Sequence, residues 1–553
     1  MMMKNRKALM SCLLVALCAG SASAKERRIS VEEYRDKMKA GWVGQIVGVA
    51  LGAPTEFKFR DEIIPADKMP TWRPELINNA FTQDDLYVEM TFLRSLEQYG
   101  LDVSIRQAGI DFANSEYPLW CANLEGRTNL RKGIAPPDSS HPRFNSRAND
   151  LDYQIEADYS GLIAPGMPNT AIKMGEKFGR IMNYGDGVYG GQFMGGMYAE
   201  AFFEEDPVKL VQAGLKCIPQ GSHYAEMVRD LLRWYEESPN DWQGVWHKVQ
   251  RKYREDPEYQ KGATGGSVDV RINGAYVVMG LLFGQGDPDQ TVIISTRCGH
   301  DSDCNPSSSA GVLFTTMGFS KLPARFNTGL NEQTVFSHTA YNFPALLDVC
   351  EKLTRQSLLK VGGRIERNAL GQEEFVIPVE EPVPSPLQLT WAPGPIANSR
   401  YTEAEMQLIT AGPSFDFIKF APDWDMKDCG GYYNPGLKDR FRGKKNVYLT
   451  HPLDRQTACV LSRTLEVPSG KTTRLHLVVG HYPLGDWTLV VKVDGKPLKT
   501  QVIGPDTTSN GWLAVDVDLS EYAGRNIVLA LENKASDWFW EAAYWAAIEV
   551  QSE

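Results

Sequence analysis

The sequence predicts a multi-domain protein, an all-α domain followed by an all-β sandwich. Three observations carry that expectation. Apolar residues recur at helical spacing from Val31 to about Leu359, as in Val31-Glu32-Glu33-Tyr34-Arg35-Asp36-Lys37-Met38 and from Ala225 to Tyr235, which is the period of an amphipathic helix. The texture then breaks between about Gly362 and Pro386, ending in Pro378, Pro382, Pro384 and Pro386. Prolines at that density continue neither a helix nor a central strand. Beyond the break the apolar period switches to two, as in a half-buried strand. At 553 residues the chain exceeds what one hydrophobic core serves. Its 42% hydrophobic and 23% charged residues are those of a globular protein.

The elements follow in order. Residues 1–24 read as a signal peptide: Lys4, Arg6 and Lys7 precede an apolar run from Ala8 to Ala19, and Ala22-Ser23-Ala24 supplies the small residues of a cleavage site. The mature protein is therefore expected to be secreted or periplasmic. Cys18 offers a lipoprotein anchor as the alternative, disfavoured by the bulk of Leu17 before it. The apolar run is too short to span a bilayer comfortably and no later stretch approaches it, so no transmembrane segment is expected. Loss of residues 1–24 moves the formal charge from −11 to −14. No basic stripe is present, which excludes nucleic acid as a partner, since phosphate binding needs clustered Lys and Arg. Seven cysteines remain, scattered and odd in number; at most one bridge is expected, not a disulfide scaffold.

Residues 25–360 form the expected helical domain and 361–390 a linker or edge segment. The sandwich is expected over 391–553. There Trp487-Thr488-Leu489-Val490-Val491-Lys492-Val493 runs into Asp494-Gly495, a favoured type I′ hairpin pair. Trp512 to Leu519 alternates as well, and Ile527 to Leu531 makes another strand. In texture this stretch is similar to the jelly-roll modules attached to secreted carbohydrate enzymes. Trp538-Phe539-Trp540 with Tyr544 and Trp545 is either a sugar platform or aromatic packing between sheets.

Three distant clusters carry candidate chemistry. The first is Gly41-Trp42-Val43-Gly44-Gln45-Ile46-Val47-Gly48-Val49-Ala50-Leu51-Gly52-Ala53-Pro54-Thr55-Glu56. Its glycines recur every three to four residues and predict close helix–helix approach. Glu56 follows a Gly-Ala-Pro break that ends the helix and exposes its carboxylate. The second is Thr82-Gln83-Asp84-Asp85-Leu86 at a helix start, where the acids are either caps or ligands. The third is Cys298-Gly299-His300-Asp301-Ser302-Asp303-Cys304-Asn305-Pro306, followed by the small residues Ser307 to Gly311.

This ordered set resembles the ADP-ribosylglycohydrolase family over roughly residues 30 to 330. Ala164-Pro165 and Gly190 to Met197 lie where that family has its central helices. The resemblance implies an all-α catalytic domain whose cleft holds Mg²⁺ or Mn²⁺, one or two ions, between carboxylates. By position it implies Asp84, Asp85, Asp301 and Asp303 as ligands, with Gln83 and Cys304 standing where the family has threonines. Glu56 matches the family's mobile acid, and Glu56 or Asp84 is the candidate catalytic base. Leu86, at another threonine position, cannot ligate. Hard cations take oxygen ligands, whereas the Cys304 thiol leaves Zn²⁺ as the alternative. Glu156, Asp158, Tyr184, Asp186 and His300 are candidates to line the sugar pocket.

The expected reaction is metal-assisted hydrolysis of an N- or O-glycosidic bond in a glycan, nucleoside-like or ADP-ribosyl substrate. Two rival readings stand beside it: a non-catalytic glycan-binding protein on the same fold, and a thiol enzyme using Cys298 or Cys304 with His300. Oligomeric state is not legible.

Overall fold

The computed structural model describes residues 25–553 apart from 264–265, 411–416, 418–419, 434 and 539. The expected signal peptide, 1–24, lies outside the described residues. No helix among the described residues is long and apolar enough to cross a membrane. The seven cysteines of the described residues are all free thiols.

The helical domain is built on the Val31–Gly52 helix, whose N-cap Ser30 accepts the Glu33 N–H through its hydroxyl. The glycine stripe does what its spacing predicts. A Cβ at Gly44 would meet the Ala310 carbonyl oxygen at 2.4 Å, one at Gly48 the Pro306 carbonyl at 2.3 Å, and one at Gly52 the Ser302 oxygen at 2.0 Å. The helix therefore lies backbone to backbone on Cys304–Met317, whose Ser307, Ser308, Ser309, Ala310 and Gly311 are all buried. Around this pair pack Asp84–Tyr99, Asp186–Ala201 and Val270–Gly284, the last buried along its whole length.

Two features were not expected. Strands β1 (Glu26–Ser30), β2 (Arg364–Arg367) and β3 (Glu373–Pro378) form a sheet in the order β1-β3-β2. Phe375 and Ile377 of β3 sit fully buried in the helical core. The start of the 361–390 segment is thus a hairpin with its second strand in the middle of a sheet, and Pro378 falls at that strand's end, where a missing N–H costs nothing. Residues 386–410, expected in part to open the sandwich, instead strap across the helical domain. Tyr189 donates its hydroxyl to the Pro386 carbonyl at 2.8 Å, Trp391 stacks on His223, and Asp138 accepts the N–H groups of Ala397 and Ser399, both at 2.8 Å. These contacts, with an isolated antiparallel bridge between Ile134 and Arg400, satisfy a backbone that joins none of the sheets.

The sandwich follows as two antiparallel five-stranded sheets. One has the order β10 (Lys496–Ile503), β9 (Trp487–Val493), β12 (Asn526–Lys534), β7 (Cys459–Glu466), β4 (Asp425–Lys427). The other runs β11 (Trp512–Asp518), β8 (Thr473–His481), β13 (Ala543–Ser552), β6 (Lys444–Thr450), β5 (Gly436–Phe441). The β9–β10 hairpin pairs Val493 with Lys496. Asp494 and Gly495 turn it at φ +50° and +78°, the type I′ geometry its sequence predicts. Between the sheets Trp487 and Trp545 pack at 5.3 Å, while Tyr544 stacks on Phe441. Those aromatics are core; Trp538 and Trp540 lie in the loop before β13, and Phe539 falls outside the described residues.

Candidate metal centre

The close crossing of the two glycine- and serine-lined helices delivers the end of one to the start of the other. The Val31–Gly52 helix stops at Gly-Ala-Pro, and Thr55 bonds Ser302 hydroxyl to hydroxyl at 2.9 Å. Phe57 donates its N–H to the His300 carbonyl and His300 donates to that of Phe59. Glu56 is thereby held beside Asp301 and Asp303. Asp84 and Asp85 enter from the first turn of Asp84–Tyr99, whose N-cap Gln83 makes no side-chain cap bond.

The acids converge. Ligand atoms of Glu56, Asp301 and Asp303 lie within 4.8 Å of one another, and so do those of Asp85, Asp303 and Cys304. Asp303 belongs to both groups. The charges of Asp84 and Asp303 also act on each other closely enough to raise the Asp84 pKa to about 6, burial being the larger cause. Glu56, on the exposed rim, is raised to about 7 by partial removal from water and by Asp303 and Asp84. Burial first, then Asp303 and the neighbouring acids, pushes Asp85 and Asp301 well above the usual carboxylate range. Two unit negative charges ~5 Å apart repel by about 3 kcal/mol at an effective dielectric near 20. Without a counter-charge the cluster therefore keeps protons that free carboxylates would shed.

The hydrogen bonding points the same way. Both Asp85 carboxylate oxygens and Oδ1 of Asp301 and of Asp303 are buried with no hydrogen-bond partner among the described residues. Buried carboxylates in that condition are costly, and an oxygen-rich cage of anions suits a hard divalent cation. The residues present thus fit Mg²⁺ or Mn²⁺. Cys304 is nearly buried, and burial with the charges of Asp301, Asp85 and Asp303 pushes its thiol well above the ordinary range. Leu86 is fully buried in the apolar core and faces no ligand.

The remaining candidates divide. Glu156 lies beside the cluster: its carboxylate takes the Asn123 amide, and burial, Asp152, Asp84 and Asp85 all raise its pKa. Asp158 is deeper, accepting the Tyr198 hydroxyl at 2.8 Å, and is raised to about 8 chiefly by burial. Tyr184 is nearly buried and accepts the Gly394 N–H of the strap. Asp186 accepts the Tyr224 N–H at the start of the His223–Glu237 helix. His300 is 1% exposed, with Nε2 at 3.1 Å from Asp61. Each of these four has a partner within the helical domain, while Asp158 Oδ1, Asp186 Oδ2 and His300 Nδ1 are buried with no hydrogen-bond partner among the described residues. The thiol–imidazole reading finds no support either, because Cys298 is fully buried and burial raises its thiol pKa well beyond the ordinary value.

Three participants escaped the sequence reading. Asp152 accepts the N–H groups of Ala122 and Asn123 and burial raises it to about 6. Asn123 holds Glu156. Glu89, one turn beyond Asp85, is fully buried and accepts the Tyr159 N–H at 2.8 Å; an acid within the apolar run Tyr87 to Leu96 was the available signal.

Comparison with curated proteins returns no match. Among solved structures, an ADP-ribosylglycohydrolase-related protein complex aligns at 14% identity over 59% of this chain and 100% of that one, with a TM-score of 0.40. A CBM22-1 xylan-binding domain from Paenibacillus barcinonensis aligns at 13% identity over 24% of this chain and 86% of that one, TM-score 0.18. A family 35 carbohydrate binding module from Clostridium thermocellum gives 13%, 24% and 95%, with the same TM-score of 0.18. The family model for ADP-ribosylglycohydrolase matches residues 30–358, which hold all five clustered acids. On that match, which spans more than half of the chain, the protein belongs to the ADP-ribosylglycohydrolase family.

Proposed function

We propose that the chain is an exported, divalent-cation-dependent hydrolase that cleaves a glycosidic bond in a glycan or a glycosylated small molecule. The observation that carries the reading is Asp303, shared between two groups of ligand atoms and flanked by carboxylate oxygens with no hydrogen-bond partner among the described residues. Asp84, Asp85, Asp301 and Asp303 would hold the cation, with Glu56 closing the site from its rim. When bound, such a cation supplies charge to orient vicinal sugar hydroxyls and to lower the pKa of a water.

The chain's own groups supply the rest. Glu56, carrying a raised pKa on the exposed side of the cluster, is placed to take a proton at its carboxylate as the glycosidic bond opens. Asp84 is the second candidate for that role. Glu156, positioned by Asn123, borders the space where substrate hydroxyls would lie. An export signal and an appended sandwich favour a glycan over ADP-ribosylated protein, whose place is inside cells; fold alone does not choose.

The test is a release assay over neutral glycans, aryl glycosides and ADP-ribosyl compounds, with and without EDTA. Product should form only with Mg²⁺ or Mn²⁺ and should be lost in Asp301→Asn. Release that survives both treatments would overturn the proposal.

A further inference from the structure

Where the sandwich meets the helical domain there is a cavity of about 470 Å³, within the ~300–1,000 Å³ range of ligand pockets. Its helical wall is the outer face of Cys121–Arg131 with the preceding Trp120; its sandwich wall is Tyr432 and Trp538. Trp120 is 54% exposed and Tyr432 49%. Rings of that size left open to water on both sides of one groove call for an explanation other than core packing.

The walls are built rather than incidental. Gly431 lies so close to the helix that a Cβ there would meet Leu124 Cδ1 at 2.4 Å, and this approach sets Tyr432 against the groove. Trp538 stands edge-on to Tyr432, ring centres 6.0 Å apart. Its loop folds around Glu541, a fully buried carboxylate that accepts the N–H groups of Ser536, Asp537 and Trp538. Trp538 and Trp540 are both held at positive φ, +143° and +67°. Bulky residues avoid that region unless the surroundings impose it, and such strain gathers where side chains must be aimed.

The groove adjoins the acid cleft through one helical turn. Trp120 is the N-cap of Cys121–Arg131. Two residues inside that helix, Asn123 grips Glu156, the neighbour of Asp84 and Asp85. One face of the turn looks to the acids and the other to the aromatic groove.

The chemistry of the groove selects its occupant. Its helix N-terminus, the natural seat for a phosphate, is already taken by the Asp152 carboxylate. Arg147 is committed to Asp150 at 2.6 Å, and the other two charged side chains of the lining, Glu125 and Lys132, are of opposite sign. With its charges balanced and its phosphate seat filled, the groove suits a neutral, flat, amphipathic ring. We propose that the seam between the domains is a subsite for a neutral hexose or pentose unit of the glycan, stacked on Trp120 and Tyr432, while the bond to be cut lies in the acid cleft. This deepens the hydrolase reading and rests on it for what occupies the cleft, but the binding it asserts stands apart from catalysis.

The experiment is affinity electrophoresis of the full chain in EDTA on gels containing arabinoxylan, β-1,4-galactan, galactomannan or β-glucan, with calorimetric titration of ADP-ribose alongside. At least one neutral polysaccharide should retard the wild type. Trp120→Ala and Tyr432→Ala should each weaken that binding about tenfold or more, and Trp120→Phe should restore most of it. Asp301→Asn should bind like the wild type, so that loss of its activity reports on the cleft alone. Thermal unfolding of each variant serves as the folding control. Retardation by none of the four polymers, binding within about twofold of wild type in both alanine variants, or ADP-ribose as the sole compound to lose affinity in them would overturn the subsite.

Discussion

Asp138 and Asp85 are both carboxylates at 1% exposure, in the same helical domain, yet the protein treats them in opposite ways. Asp138 accepts two backbone N–H groups from the strap and lies 3.5 Å from Arg400. Asp85 has no hydrogen-bond partner on either oxygen among the described residues and lies among other acids. A buried acid whose bonds are all made within the chain is part of the scaffold. One left wanting on both oxygens, among like charges, is held for something that comes from outside.

That contrast can be broken by substitution. The largest effect should come from Asp303→Ala, which removes the ligand common to both groups: hydrolysis should fall by about 100-fold or more, beyond the range seen when residues merely orienting a metal ligand are lost. Rates over a range of Mg²⁺ and Mn²⁺ concentrations measure it. Asp138→Ala should act on stability instead. It removes the charge-assisted hydrogen bonds donated by Ala397 and Ser399, at a cost of about 1–3 kcal/mol, read as a lowered Tm with cation binding unchanged.

The next effect is one of pH. In EDTA the folded protein holds protons on Glu56 and Asp84 up to about pH 7 and about 6, whereas the unfolded chain releases them near 4.5 and 3.8. Between those limits the native state binds more protons than the unfolded one, so stability falls as pH rises, and Asp158, raised to about 8, carries the decline beyond pH 7. Differential scanning calorimetry in EDTA should show that decline, and Mg²⁺ or Mn²⁺ should remove it. The smallest effect, opposite in sign to that of Asp138→Ala, belongs to Asp84→Asn. By deleting a charge repelled by Asp303 it should raise the metal-free Tm at pH 8 slightly and flatten the pH decline.

Much of this was legible in the sequence because it was local. The glycine stripe, the Gly-Ala-Pro stop before Glu56, the acids opening Asp84–Tyr99 and the Asp494-Gly495 turn each rest on a few adjacent residues. Their convergence was legible only through the resemblance to a family. What escaped reading depends on partners far apart in sequence. Nothing near His300 in the sequence shows that Asp61, far back along the chain, lies against its Nε2. Residues 386–410 look like the approach to a sandwich until Tyr189 and Asp138 are found holding them. Strand β3 was hidden by the prolines that follow it. Asp152 and Glu89 sit in no motif, and only the packing shows that they border the cluster.

The central claim, that distant acids form one cation site around Asp303, is tested most directly by titrating the metal-free protein with Mn²⁺ and following free Mn²⁺ by electron paramagnetic resonance. The wild type should remove Mn²⁺ from solution saturably at one or two ions per chain, and Asp303→Ala, folded by circular dichroism, should not. Equal uptake by the two proteins, or none by the wild type, would contradict the account.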